Sequence, residues 1–113
     1  MQPEIRKYLY DICQACKTLL DFIQDKSLQD YNADLLLRSG VERQLMIIGE
    51  ALSQAYKLDP ALSESVSNIR EIINLRNVIV HGYAIVENET IWGIMEDDLP
   101  RLYKEVQSLL QQE

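Results

Sequence analysis

The sequence predicts an all-α fold, an up-and-down bundle of four to five helices, and three observations predict it. Apolar residues recur at three- and four-residue intervals along most of the chain, the spacing of one helix face. The prolines, Pro3, Pro60 and Pro100, stand where helices start or break. A length of 113 residues, 47% of them hydrophobic, suits one folded domain, residues 1–113, with no room for a second core.

Residues 3–26 read as a long amphipathic helix. Pro3 fits a first turn, and Ile5, Tyr8, Leu9, Ile12, Cys16, Leu19, Leu20 and Ile23 follow at helical spacing. The polar stretch 24–34 holds little besides Leu28 and Tyr31 and reads as a loop or a short helical turn. A second helix carries Leu37, Val41, Leu45, Ile48, Leu52 and Tyr56 on one stripe, and Asp59-Pro60 ends it. Gly40 and Gly49 interrupt this helix at a cost of roughly 1 kcal/mol each against alanine, which points to close approach of another backbone. A third helix runs from about Ser67 to Val80, with Ile69, Ile72, Ile73, Arg76 and Val80 near one face. Its spacing outweighs the β-branched run Val78-Ile79-Val80, which alone would suggest a strand. Asn88 reads as the cap of a last helix bearing Ile91, Trp92, Met95, Leu99, Leu102, Val106, Leu109 and Leu110. Pro100 predicts a kink or break near residues 97–99.

The net charge of -7 constrains function. General electrostatic attraction to nucleic acid needs a basic surface, so DNA is not an expected partner. Contact with RNA would have to be local, through a few arginines, and an acidic surface equally suits a basic protein partner. No apolar run approaches the ~20 residues of a membrane span and the start lacks signal-peptide shape, so a soluble cytoplasmic protein is expected, with no membrane partner. Cys13 and Cys16 read as two small thiols on one helix face. A four-ligand zinc site would need two more good ligands, and His81 is the one histidine of the chain. Neither a metal nor a cofactor is expected.

That histidine lies in the run Arg76-Asn77-Val78-Ile79-Val80-His81-Gly82-Tyr83, which gathers a permanent cation, an amide, an imidazole and a phenol. Two readings stay open. In the first, His81 caps a helix end and Arg76 is a structural ion-pair partner. In the second, the run cleaves RNA. A base takes the proton from a ribose 2′-hydroxyl, an acid protonates the leaving 5′-oxygen, and a cation neutralises charge developing on the phosphoryl oxygens. His81 suits proton transfer near neutral pH, Arg76 suits the phosphate, and Asn77 can donate to the phosphate or orient the histidine. A mechanism with two imidazoles needs two chains, and a symmetric dimer would supply them. On an ideal helix Arg76 and His81 lie about 140° apart, so they act together only if the helix loosens before His81 or if each addresses the substrate from a different side. Glu50, Glu71, Asp97 and Asp98 are carboxylates available to a metal, but none forms a recognisable ligand cluster with His81.

The run from Arg76 to Tyr83 resembles the signature of HEPN-domain proteins: arginine, a polar residue, three further residues, histidine, any residue, tyrosine. More narrowly, the chain resembles the HepT-like toxins of two-gene HEPN/MNT toxin–antitoxin modules of type VII. The likeness takes in Tyr8-Leu9-Tyr10-Asp11-Ile12, the segment from Val41 to Ala51 with its Ile48-Gly49-Glu50-Ala51, and Ile91-Trp92 and Asp97-Asp98-Leu99-Pro100. Typical members carry a proline-tryptophan pair and a glycine where this chain has Asn68, Ile69 and Asn74.

The resemblance implies an all-helical homodimer with two such runs in a composite cleft and metal-independent endoribonuclease activity. Arg76 and His81 would be the catalytic pair, assisted by Asn77. It also implies an MNT-type nucleotidyltransferase antitoxin as partner, which would attach AMP from ATP to Tyr83. A phenol so loaded would block the cleft and repel an RNA phosphate. The rival is a non-catalytic helical adaptor that pairs with a nucleotidyltransferase. Two Arg76 and two His81 side chains converging on solvent would mark the enzyme, and burial of Arg76 against Glu50 or Glu71 of its own chain would mark the adaptor.

Overall fold

Pro3, which has no N–H to leave unpaired, occupies the first turn of α1 (Pro3–Ile23), and Glu4 sits favourably at the positive end of the helix dipole. The computed structural model describes residues 1–81 and 87–112, with the side chains of Val78, Val80 and His81 outside the described set. Helix α1 buries Ile5, Leu9, Ile12, Cys16 and Leu19. It ends at Ile23, before the expected 26, and Asp25 follows with φ 61°, a left-handed conformation that aspartate tolerates better than most residues.

The polar stretch then folds into α2 (Leu28–Ala33) through reciprocal capping. The Ser27 hydroxyl accepts from the Asp30 backbone N–H at 3.2 Å, and the Asp30 carboxylate accepts from the Ser27 backbone N–H at 2.9 Å. The short helix seats Tyr31, which is fully buried and packs tilted on Trp92 with ring centroids 5.6 Å apart. Asp34 caps α3 (Leu35–Leu58) by accepting from the Leu37 N–H at 3.1 Å. Asp59 and Pro60 end α3 as expected, and a 3-10 turn covers Pro60–Glu64.

Helix α4 (Ile69–His81) stays helical through the β-branched run and buries Ile69, Ile72 and Leu75. Its start is pinned to the last helix: the Ser67 hydroxyl donates to Glu105 at 2.7 Å and Asn68 Nδ2 to Asp98 at 3.4 Å. Asn68 has φ 58°. A proline, fixed near −65°, could not take this conformation.

Helix α5 (Asn88–Gly93), a π turn (Ile94–Asp98) and α6 (Leu99–Gln111) run on continuously. The π turn is the break expected from Pro100. The Leu99 N–H reaches back to the Ile94 carbonyl, which accommodates a ring that cannot fit a regular turn. Asn88 is not the cap: Glu87 stands there without a side-chain cap bond, and Asn88 Nδ2 instead donates to Asn32 Oδ1 at 2.9 Å. The residues described are thus all-α. Helix α3 packs against α1 on one side and α4 on the other, α6 also lies on α1, and their apolar faces share one core. No helix among the described residues is long and apolar enough to cross a membrane.

Cys16 is buried and Cys13 is only partly so. Burial, and then the neighbouring Cys13, pushes the Cys16 thiol from its usual 9.0 up to about 12. Burial, with Glu42 adding and Arg38 opposing, pushes the Tyr31 phenol from 10.0 up to about 12. Each folded group holds its proton where the unfolded one has lost it. Their contribution to stability is therefore complete below about pH 9 and is lost as the pH rises from there toward 12. Urea unfolding should give a midpoint that holds steady to mildly alkaline pH and then falls, with the fall beginning later in Cys16→Ala. Identical profiles for the two proteins would contradict the assignment.

Candidate functional site

The site begins with a missing side chain. Gly49 is buried in the middle of α3 where α4 crosses it, and a Cβ built there would lie 2.2 Å from Cβ and 2.7 Å from Cγ of Arg76. The stem of Arg76 thus occupies the space a side chain at position 49 would need. The close approach expected at Gly49 is present. At Gly40 the neighbour is a side chain, with Cε2 of Phe22 at 3.2 Å from an added Cβ.

Beyond its stem, the Arg76 guanidinium is held at two corners. Nη2 pairs with Glu50 Oε2 at 2.5 Å, and Nη1 donates to Asn77 Oδ1 at 2.8 Å. Glu50 is steadied in turn by Gln54, whose Nε2 donates to Oε1 at 3.1 Å. Arg76 Nε is buried with no hydrogen-bond partner among the described residues. The pair itself is open to water: the Arg76 side chain is 27% exposed and that of Glu50 48%. Exposure at that level screens the pair, so it adds little to stability.

The pair lies on an open groove of about 330 Å³ between α1, α3 and α4, lined by Tyr8, Arg43, Met46, Ile47, Glu50 and Arg76 among others. The groove carries two arginines and two carboxylates, Asp11 and Glu50, so its formal charges balance on a chain whose net charge is -7. A larger hollow of about 560 Å³, lined by Met1, Leu58, Leu62 and Leu109 among others, includes neither Arg76 nor Asn77. Among the described residues no group of three or more His, Cys, Asp or Glu side chains is placed to hold a metal ion. Of the carboxylates considered for a metal, Glu50 pairs with Arg76 and Asp98 takes Arg101 at 2.7 Å, while Glu71 and Asp97 are exposed.

Arg76 and Asn77 are therefore brought together. His81 is the last residue of α4, so the backbone stays helical from Arg76 to it and does not loosen as a shared face would require. The two positions lie about 140° apart around the helix. The His81 side chain and all of Tyr83 fall outside the described residues. Glu50 is the participant that sequence reasoning placed only as one of two candidate partners for Arg76, and its position beside Gly49 is the signal that singles it out.

The chain matches the family described as Ribonuclease HepT-like over residues 12–109, which includes Arg76, Asn77 and His81. It belongs to the HepT-like ribonuclease family. A candidate RNase of Caldanaerobacter subterraneus subsp. tengcongensis is 33% identical over 110 residues, 96% of each chain. Another of Methanocaldococcus jannaschii is 28% identical over 106 residues, covering 92% of this chain and 94% of the relative. A protein of Thermococcus cleftensis named for ribonuclease HepT is 28% identical over 102 residues, 90% of this chain and 92% of its own. No solved structure matches the chain significantly.

The packing at Gly49 sets up a comparison of two glycines. Gly49→Ala gains helix propensity of about 1 kcal/mol but forces the Arg76 stem and α4 outward, and should destabilise by about 1–3 kcal/mol net. Gly93→Ala, whose Cβ meets nothing within 4 Å among the described residues, should be neutral or stabilising by up to ~1 kcal/mol. Thermal or urea unfolding reads both; a stabilised Gly49→Ala would contradict the close contact.

Proposed function

We propose that this chain is the toxin of an HEPN/MNT toxin–antitoxin module, a metal-independent endoribonuclease whose active site is shared across a homodimer. The observation that carries the reading is the Arg76 guanidinium, held at the edge of an open groove in a chain matched to HepT-like ribonucleases over the segment that includes Arg76, Asn77 and His81. Arg76 has five N–H donors, of which two are engaged by Glu50 and Asn77. Its remaining Nη donors suit two phosphoryl oxygens, and its charge offsets what develops there as the 2′-oxygen attacks phosphorus. Asn77 orients the guanidinium by accepting from Nη1.

His81 supplies proton transfer, taking the 2′-hydroxyl proton in one chain and returning a proton to the leaving 5′-oxygen in the other. The angular separation of positions 76 and 81 supports sharing, because two facing chains can bring Arg76 of one toward His81 of its partner. Control falls to Tyr83. A nucleotidyltransferase antitoxin joins the phenol oxygen to the α-phosphorus of ATP with release of pyrophosphate. The added anion then competes with RNA for Arg76.

One observation favours the adaptor reading instead. Arg76 pairs with Glu50 of its own chain, as a structural arginine would. The pair meets that criterion in its partner and largely in the burial of Arg76, whose side chain is 27% exposed and whose Nε is buried, while the Glu50 side chain is 48% exposed.

Incubating purified protein with RNA in the presence of a chelator separates the two readings. Wild type should cut, and His81→Ala and Arg76→Ala should each lose about 100-fold or more in rate. Equal behaviour of all three proteins would leave the adaptor. With the nucleotidyltransferase and ATP, the wild-type mass should rise by one or more AMP units and that of Tyr83→Phe should not. An unchanged wild-type mass would remove Tyr83 from the control of the site.

A further inference from the structure

We propose that Glu50 is a positioning residue for Arg76, holding the guanidinium in the orientation in which it meets an RNA phosphate. The inference rests on the ribonuclease reading above. Gly49 and Glu50 are consecutive on α3, so the turn that admits the stem of Arg76 also presents a carboxylate to its tip. The side chain is thereby fixed at three points: the stem against Gly49, Nη2 on Glu50 and Nη1 on Asn77. The Gln54 bond to Oε1 leaves Oε2 as the oxygen that faces Arg76.

A free arginine side chain carries about 2 kcal/mol of rotamer entropy. Ordering the fork before substrate arrives removes that loss from the binding and reacting steps. The arrangement does not saturate the guanidinium among the described residues, since one N–H on each Nη remains, while Nε is buried and faces no substrate. A carboxylate in this place also repels the phosphate that Arg76 is to bind. Its benefit must therefore appear in geometry and its cost in affinity, and the two effects have opposite signs. A role confined to stability would move neither of them in opposition.

The test compares wild type, Glu50→Ala and Glu50→Gln. Both variants should fold with melting temperatures close to wild type, because the Glu50 side chain is about half exposed. Glutamine keeps the length and an acceptor oxygen without the charge. With RNA as substrate, Glu50→Ala should lower kcat roughly 10- to 100-fold with KM unchanged or lowered. Glu50→Gln should recover most of kcat while keeping the lower KM. Equal loss of kcat in both variants would overturn the proposal in favour of proton transfer by the carboxylate. Unchanged kcat in Glu50→Ala would also overturn it.

Nitrogen-15 spectra of the Arg76 guanidinium, assigned by its loss in Arg76→Lys, give a second readout that needs no RNA. Rotation of the group should be restrained in wild type and Glu50→Gln and free in Glu50→Ala. Free rotation in wild type overturns the proposal whatever the cleavage result. Restrained rotation in a wild type that leaves RNA intact upholds the hold of Glu50 on Arg76 and overturns the ribonuclease reading alone.

Discussion

The close crossing of α3 and α4 at Gly49 is the contact on which the candidate site depends. Apolar residues on either side, Ile48 and Leu52 from α3 and Ile72 and Leu75 from α4, drive the two helices together. Only a residue without a Cβ lets them come as near as they do, because the stem of Arg76 fills that space. The proximity then decides the electrostatics. It sets a guanidinium beside Glu50 and fixes which side of α4 faces the groove. Helix α4 is fixed at its start as well, where Ser67 and Asn68 bond to Glu105 and Asp98. A helix anchored at its beginning and middle delivers Arg76 and Asn77 to a defined place.

An acidic protein that acts on RNA needs its positive charge concentrated rather than spread. Arg76 and Arg43 stand together on one groove, where Glu50 and Asp11 balance their charge. The balance suits a site that recognises one phosphate by geometry better than one that attracts a long polyanion. It also bears on the proposed control through Tyr83. A nucleotide carried on Tyr83 would offer Arg76 a phosphate in competition with that of RNA.

Much of this was legible in the residue pattern. Helices α1, α3 and α4 follow from apolar spacing, because each buries a single face against the shared core. Pro100 announces the π turn, since its ring excludes a regular one. The burial of Tyr31 was not legible: a phenol in a polar stretch is held there by Trp92, from an element far along the chain. The Ser27-x-x-Asp30 spacing was the available local signal for α2, and the loop-like composition around it hid the signal. At Asn88, a residue type favoured at caps serves instead to bridge to Asn32. Gly49 could be read as a point of close approach, but the spacing could not say what approached. Glu50 and Glu71 were equal as partners for Arg76 until the crossing of α3 and α4 was known.

One constraint of the helix leads to the proposed shared site. With α4 unbroken from Arg76 to His81, the two positions point away from each other by about 140°. A single histidine per chain also cannot serve as both acid and base by two imidazoles. Refolding wild-type and His81→Ala chains together in varied proportion tests the sharing most directly. If each active unit needs His81 from two chains, RNA cleavage at equal proportions should fall to about a quarter of that of the same total of wild-type protein, following the square of the wild-type fraction. Activity of about half, linear in the wild-type fraction, would mean that one His81 serves each active unit and would contradict a site built on the imidazoles of two chains.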